Sequence, residues 1–173
     1  AGYISAARLA EIDGNDDAVF EYLADGDRLA AAYEFDRLAA HLDCERSRQL
    51  LRIGLVDDAR ELLSYSPALK ERRFLPPTSG ANRTDAAAAL ARARAAPEQA
   101  GIEVERVLRT WVGFFEGRGC VSEEMRFSGA LAVTQLKNAR VREAWRTLSK
   151  GLGLMALTGR VCPLIGTGPA FST

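Results

Sequence analysis

The spacing of the apolar residues constrains this chain more than any other feature, because they recur at steps of three and four and almost never at two. Val104, Val107, Leu108, Trp111 and Phe115 share one face of a helix, and Val141, Ala144, Trp145, Leu148, Leu152 and Met155 make the cleanest amphipathic run. β-Branched residues rarely cluster, and no stretch alternates apolar and polar over the length of a strand. The fold class expected is therefore all-α: a helical bundle of short and medium helices with an irregular C-terminal extension.

Punctuation divides the pattern. Ile4, Leu9 and Ile12 predict a first short helix ended by Gly14. Asn15 or Asp16 is placed to cap a second, which carries Val19, Phe20 and Leu23 and is expected to stop at Gly26. Asp27 is then expected to cap a helix running to about Leu42. From Glu45 to Tyr65 the helical spacing continues, with Gly54 and the pair Asp57-Asp58 marking a break. Phe74-Leu75-Pro76-Pro77-Thr78-Ser79-Gly80 is the clearest interruption. The organisation expected is one compact unit: a short-helix region over 1–75, a Pro/Gly linker within the domain over 76–84, longer amphipathic helices over 85–158 and an extended arm over 159–173. Within the third segment, Gly117-Arg118-Gly119 predicts one helix end and Asn138 a further break.

Gly54-Leu55-Val56-Asp57-Asp58-Ala59-Arg60-Glu61-Leu62-Leu63 resembles one helix of the helical-repeat adaptors. No second copy is visible in the sequence at a repeat period of about 33 to 47 residues, so the likeness extends over one helix and does not predict a solenoid.

At 173 residues with 47% apolar side chains, the chain is long enough to bury a core without disulfides or a structural metal. Lys+Arg and Asp+Glu are both 23, which removes the field that would draw the protein onto nucleic acid. The basic residues are 20 Arg and 3 Lys, a bias that accords with a GC-rich coding sequence and a high Ala content. Arg46, Arg48 and Arg52, and Arg140, Arg142 and Arg146, are expected on solvated helix faces with local acidic neighbours; the alternative is a docking surface for an acidic protein partner. No stretch reaches the ~18 to 20 uninterrupted apolar residues of a membrane span, so a place peripheral to a membrane complex is the closest membrane association expected. The start at Ala1, without Met, fits either a removed leader or an excised fragment, and the first is the expectation, with a lean towards an organelle.

The chemistry-bearing residues are few. His41, the single histidine, lies three positions from Cys44, a spacing that shares a helix face but matches no nucleophile signature. Cys44, Cys120 and Cys162 have no metal-ligand spacing, and Asp13, Asp16 and Asp17 around Gly14 lack the closing Glu of a calcium loop. Gly113-Phe114-Phe115-Glu116-Gly117-Arg118-Gly119 follows a helix where a phosphate loop would follow a strand. No cofactor, no metal and no enzymatic activity are expected.

The leading expectation is a non-enzymatic accessory subunit that docks onto the protein subunits of a larger assembly, for which an organellar complex, photosynthetic or respiratory, is the example considered. Its partner-binding residues are expected to be Val161, Leu164, Ile165 and Phe171 in the arm, with Arg140 and Arg146. The alternative is a helical bundle that binds a small molecule or pigment in an aromatic pocket between helices, lined by Trp111, Phe115 and Trp145.

Overall fold

The computed structural model describes residues 2–69, 77, 83–95 and 101–159, and the described residues form helices and short turns, with no strand among them. The fold class is all-α. Two units partition the chain, Ala1–Arg73 and Phe74–Thr173. The first holds α1 (Gly2–Ile12), α2 (Asp16–Ala32), α3 (Asp36–Arg52) and α4 (Val56–Tyr65), followed by a 3-10 turn over Pro67–Leu69. The second holds α5 (Arg83–Ala95), α6 (Ile102–Glu116), α7 (Val121–Lys137) and α8 (Val141–Thr158).

One three-residue junction is used five times. A residue with left-handed backbone (Gly14, Glu34, Gly54, Gly119 or Ala139, φ between 52° and 87°) follows the helix end. Its N–H bonds back to the carbonyl three residues earlier, and the next N–H to the carbonyl five earlier: Asn15 to Ala10, Phe35 to Ala30, Leu55 to Leu50, Cys120 to Phe115 and Arg140 to Gln135, at 2.8–3.0 Å. This double bond pattern is the Schellman arrangement, which satisfies the last carbonyls of a helix while turning the chain. The residue after the turn then takes φ near −90° and ψ of 60–83°, and the next helix starts at once. So short a link between long helices folds each one back along its predecessor.

The junctions are regularly spaced. Gly14, Glu34 and Gly54 stand 20 residues apart, as do Gly119, Ala139 and the next left-handed residue, Gly159. The helical-hairpin unit therefore repeats in geometry although its sequence shows no repeat. The correspondence extends to burial at an offset of 85 positions, which brings Glu34 onto Gly119 and Gly54 onto Ala139. Leu23 and Ala30 of α2 then match Leu108 and Phe115 of α6, Leu42 and Cys44 of α3 match Phe127 and Gly129 of α7, and Ala59 of α4 matches Ala144 of α8, every one of them buried. The central helices α3 and α7 are covered on two sides by their neighbours, which is why buried residues run round much of their circumference.

Two expectations fail in the first unit, for one reason. Gly26 does not stop α2; it lies inside the helix, where a Cβ would come 2.8 Å from Leu42 Cδ2 and 3.3 Å from Tyr3 Cβ. The glycine thus serves close packing between helices, at the ~1 kcal/mol cost in helix propensity that such a residue carries. The break falls instead at Tyr33–Phe35, inside the stretch expected to be one helix from Asp27 to Leu42, and its left-handed residue is Glu34, which carries no turn signal. The breaks expected at Gly14, Gly54, Gly117–Gly119 and Asn138 are all present.

The two units fill their cores differently. In the first, small residues (Ala7, Ala10, Val19, Ala30) pack around Leu23 and Leu42. In the second, Ala86, Ala89 and Leu90 of α5 close over Val107, Leu108, Trp111, Phe115 and Phe127. The Trp111 ring centroid lies 5.4–5.5 Å from those of Phe114, Phe115 and Phe127, contacts worth about 0.5–1.5 kcal/mol each beyond burial.

Candidate functional site

α8 divides its residues between two stripes, and the division defines the candidate site. One stripe is small: Ala144 and Gly151 are buried and let α8 approach α7 closely. Around it, polar tethers fasten the helix. Arg140, at the N-cap, donates from Nη1 to Glu105 Oε1 of α6 at 2.7 Å and from Nη2 to Glu143 at 3.0 Å. Thr147 Oγ1 donates to Gln135 Oε1 of α7 at 2.8 Å. Lys150 Nζ lies 2.9 Å from Glu116 and 3.1 Å from Glu124.

Glu105 is the anchor of this set. Burial would push its carboxyl up, but the Asn138 amide, 3.3 Å away, and the Arg140 guanidinium outweigh that and hold it below the ordinary glutamate value. Arg109 adds a further salt bridge from its own helix. Lys150 follows the same logic with the opposite charge: burial opposes its ammonium, and Glu116 and Glu124 more than restore it.

The second stripe is large and faces outward. Val141 is 51% exposed, Trp145 62% and Leu152 47%, with Leu148 and Met155 half-buried beside them. Exposed Ser149, Gly153 and Ala156 leave the surface low beside the large side chains. Arg142 and Arg146 are also exposed on this side, and neither is held in a hydrogen-bonded ion pair among the described residues. The stripe spans about 21 Å at the helical rise of ~1.5 Å per residue. At the positions of α4 that correspond through the 85-residue offset, the sequence has Asp57 for Arg142, Arg60 for Trp145, Glu61 for Arg146 and Ser64 for Ser149, an ordinary solvated face.

The residues singled out from sequence are thereby separated. Trp111 and Phe115, 2% and 5% exposed, belong to the aromatic core of the second unit. Trp145 stands on the outer face of α8 and does not join that core. Arg140 is engaged internally with Glu105 and Glu143, whereas Arg146 is presented to solvent. Val161, Leu164, Ile165 and Phe171 lie outside the described residues.

A second concentration of charge sits in the first unit. Glu45, 4% exposed, is gripped by Arg8 (Nε 3.2 Å, Nη2 2.7 Å) and by Arg48 (Nε 2.9 Å, Nη2 2.6 Å). Arg48 reaches on to Glu11, to which Gln49 also donates at 2.9 Å, and Arg52 pairs with Asp16 and bonds Gln49 at 2.8 Å. Burial alone would raise the Glu45 carboxyl, but the bonds and charges of Arg8 and Arg48 prevail and hold it at about 2. Arg48 and Arg52 are thus internal ties between α3, α1 and the start of α2, where the sequence predicts a solvated face. Because these charges answer one another, the network is a structural clamp.

Other candidates carry less. Cys44 is buried on α3 and His41 half-buried there. Asn15 Oδ1 accepts from the Ala18 N–H at 3.1 Å, and Asp16 and Asp17 occupy the first turn of α2, so the acidic cluster caps a helix. Among the described residues no group of three or more His, Cys, Asp or Glu could hold a metal ion, and no helix is long and apolar enough to cross a membrane.

Among the described residues, the fold and this surface define an all-α protein of Schellman-linked helical hairpins with an exposed apolar and basic face on α8. Comparison of the chain with protein-family models, curated proteins and solved structures finds no match to any of them.

Proposed function

We propose that this protein is a non-enzymatic interaction module that docks onto a larger protein assembly, and that it does so through the outward stripe of α8. The observation that carries this is the combination on one helix of a large exposed apolar stripe with Arg142 and Arg146. An apolar row including a tryptophan, next to arginine, is the composition of the energetic centre of protein interfaces. A helix face meant only for water would carry a charge in place of the tryptophan, as α4 does with Arg60 at the position that corresponds to Trp145. The polar tethers of Arg140 and Lys150 hold α8 fixed on α6 and α7, so the stripe is presented on a rigid element and little ordering is needed on binding.

The test is co-fractionation from the native source. The chain is expected to elute within a larger assembly, and the double variant Trp145→Ser/Leu152→Ser to elute alone with an unchanged helical circular-dichroism spectrum. Co-elution of the folded variant with the same assembly would remove the proposal.

A further inference from the structure

We infer that the outward stripe of α8 takes an acidic amphipathic helix, an inference that rests on the interaction role proposed above and names the partner's chemistry. Geometry comes first. Each of the five Schellman junctions lays one helix along another, and Ala144 and Gly151 show how α8 receives α7: small residues on α8 admit the close approach of a helix. The outward face sets a low row of Ala156, Ser149 and Gly153 beside the large side chains of Trp145, Leu148 and Leu152. A ridge of large side chains beside a low row forms a surface into which the ridge of a second helix can settle. A length of about 21 Å matches a helix of about four turns at ~5.4 Å per turn.

Charge then chooses among helices. Arg142 and Arg146 stand one helical turn apart along the same edge of the stripe, both exposed. The nearest acid on α8, Glu143, already accepts from Arg140 at 3.0 Å. Glu143 also lies within electrostatic reach of Arg146, so this edge sets two exposed arginines beside one carboxylate already bonded to Arg140 and keeps a net positive charge. A partner with Asp or Glu beside its apolar row gains attraction and correct register, and one with Lys or Arg there is repelled. The corresponding edge of α4 is acidic, with Asp57 and Glu61, so positive charge is particular to α8 and not a property of the hairpin.

Two synthetic helical peptides of 18 residues test this on the full chain. Both carry Leu along one face; one flanks it with Glu, the other with Lys. The Glu peptide is expected to shift the emission of Trp145 to shorter wavelength, with no shift in a Trp145→Phe chain. It is expected to bind at least tenfold tighter than the Lys peptide, the preference shrinking as salt rises. Arg142→Glu/Arg146→Glu is expected to reverse the preference.

Equal affinities, a preference for Lys, or no binding of either peptide overturn the inference. So does a concentration-dependent dimer that itself shifts Trp145, which assigns the stripe to a second copy. Emission already at short wavelength that moves to long wavelength when residues 160–173 are deleted assigns it to the chain's own segment and likewise overturns the inference. If co-fractionation depends on Trp145 and Leu152 while the peptides are not distinguished, the interaction role stands and the acidic helix falls.

Discussion

Arg140, the residue that opens α8, places its Nη1 2.7 Å from Oε1 of Glu105 on α6, 35 positions away in sequence. The bond ties the α7–α8 junction to α6, and Glu105 is 1% exposed while the Arg140 side chain remains 41% exposed. Removing this partner leaves the buried Glu105 carboxylate to Asn138 and Arg109, and solvent on the arginine side softens the loss. Arg140→Ala is expected to lower stability measurably in urea unfolding followed by circular dichroism, and Arg146→Ala to leave it within about 0.5 kcal/mol. Equal effects of the two would contradict the division of α8 into a tethered and a free face.

Acid is expected to weaken the first unit through Glu45. Its carboxyl is at about 2 in the fold against an ordinary 4.5, so the Arg8 and Arg48 contacts contribute full stability above about 4.5. That contribution is lost as pH falls from there through about 2, when the folded carboxylate protonates. Glu11, also lowered, acts in the same direction. Asp43 opposes them, since burial, partly offset by Ser66 and Arg46, raises its carboxyl. Glu45→Gln is expected to be less stable than wild type at pH 7 and to lose less stability on acidification. A variant whose acid profile runs parallel to that of wild type would count against Glu45 as the controlling group.

Two junctions place a side-chain-bearing residue in the left-handed region, Glu34 at φ 52° and Ala139 at φ 58°. That conformation costs about 1–2 kcal/mol for a residue with a Cβ, part of which glycine returns as unfolded-state entropy. Ala139→Gly and Glu34→Gly are each expected to stabilise by about 0.5–1 kcal/mol. Gly54→Ala, at φ 87°, is expected to destabilise by about 1–2 kcal/mol. Differential scanning calorimetry reads all three, and a destabilised Ala139→Gly would refute the common junction geometry.

The two tryptophans are expected to separate stability from binding. Trp111, 2% exposed among three phenylalanine rings, should cost about 3–5 kcal/mol when truncated to Ala. Trp145→Ser should change stability by less than about 0.5 kcal/mol and still abolish co-fractionation. Loss of folding in Trp145→Ser would instead make that residue part of the core.

How far the sequence shows this structure depends on which residues mark each feature. Helical spacing and the signals at Gly54, Gly119 and Asn138 reveal most helices and their ends. The Tyr33–Phe35 junction is hidden because tertiary packing holds Glu34 in a conformation that composition does not announce, while Gly26, the residue that looks like a stop, is small for the sake of Leu42. The hairpin recurrence is hidden for a related reason. Turn position and burial are kept at the 85-residue offset, but the left-handed residue changes from Glu34 to Gly119 and from Gly54 to Ala139. Trp145 and Arg146 are visible as candidates, yet their pairing with Trp111 and Arg140 is not what the fold makes. α8 offers two apolar stripes, and hydrophobicity alone favours the large one for the core; close packing on α7 selects Ala144 and Gly151 instead.

The central claim, that the outward face of α8 works by contact, is tested most directly by a photoreactive amino acid placed in the full chain in its native cells. At position 145 it is expected to crosslink to one defined protein in high yield, and at position 61, the outward place on α4 that corresponds to 146, to give none. Equal yields at the two positions, or no crosslink at 145, would contradict the account.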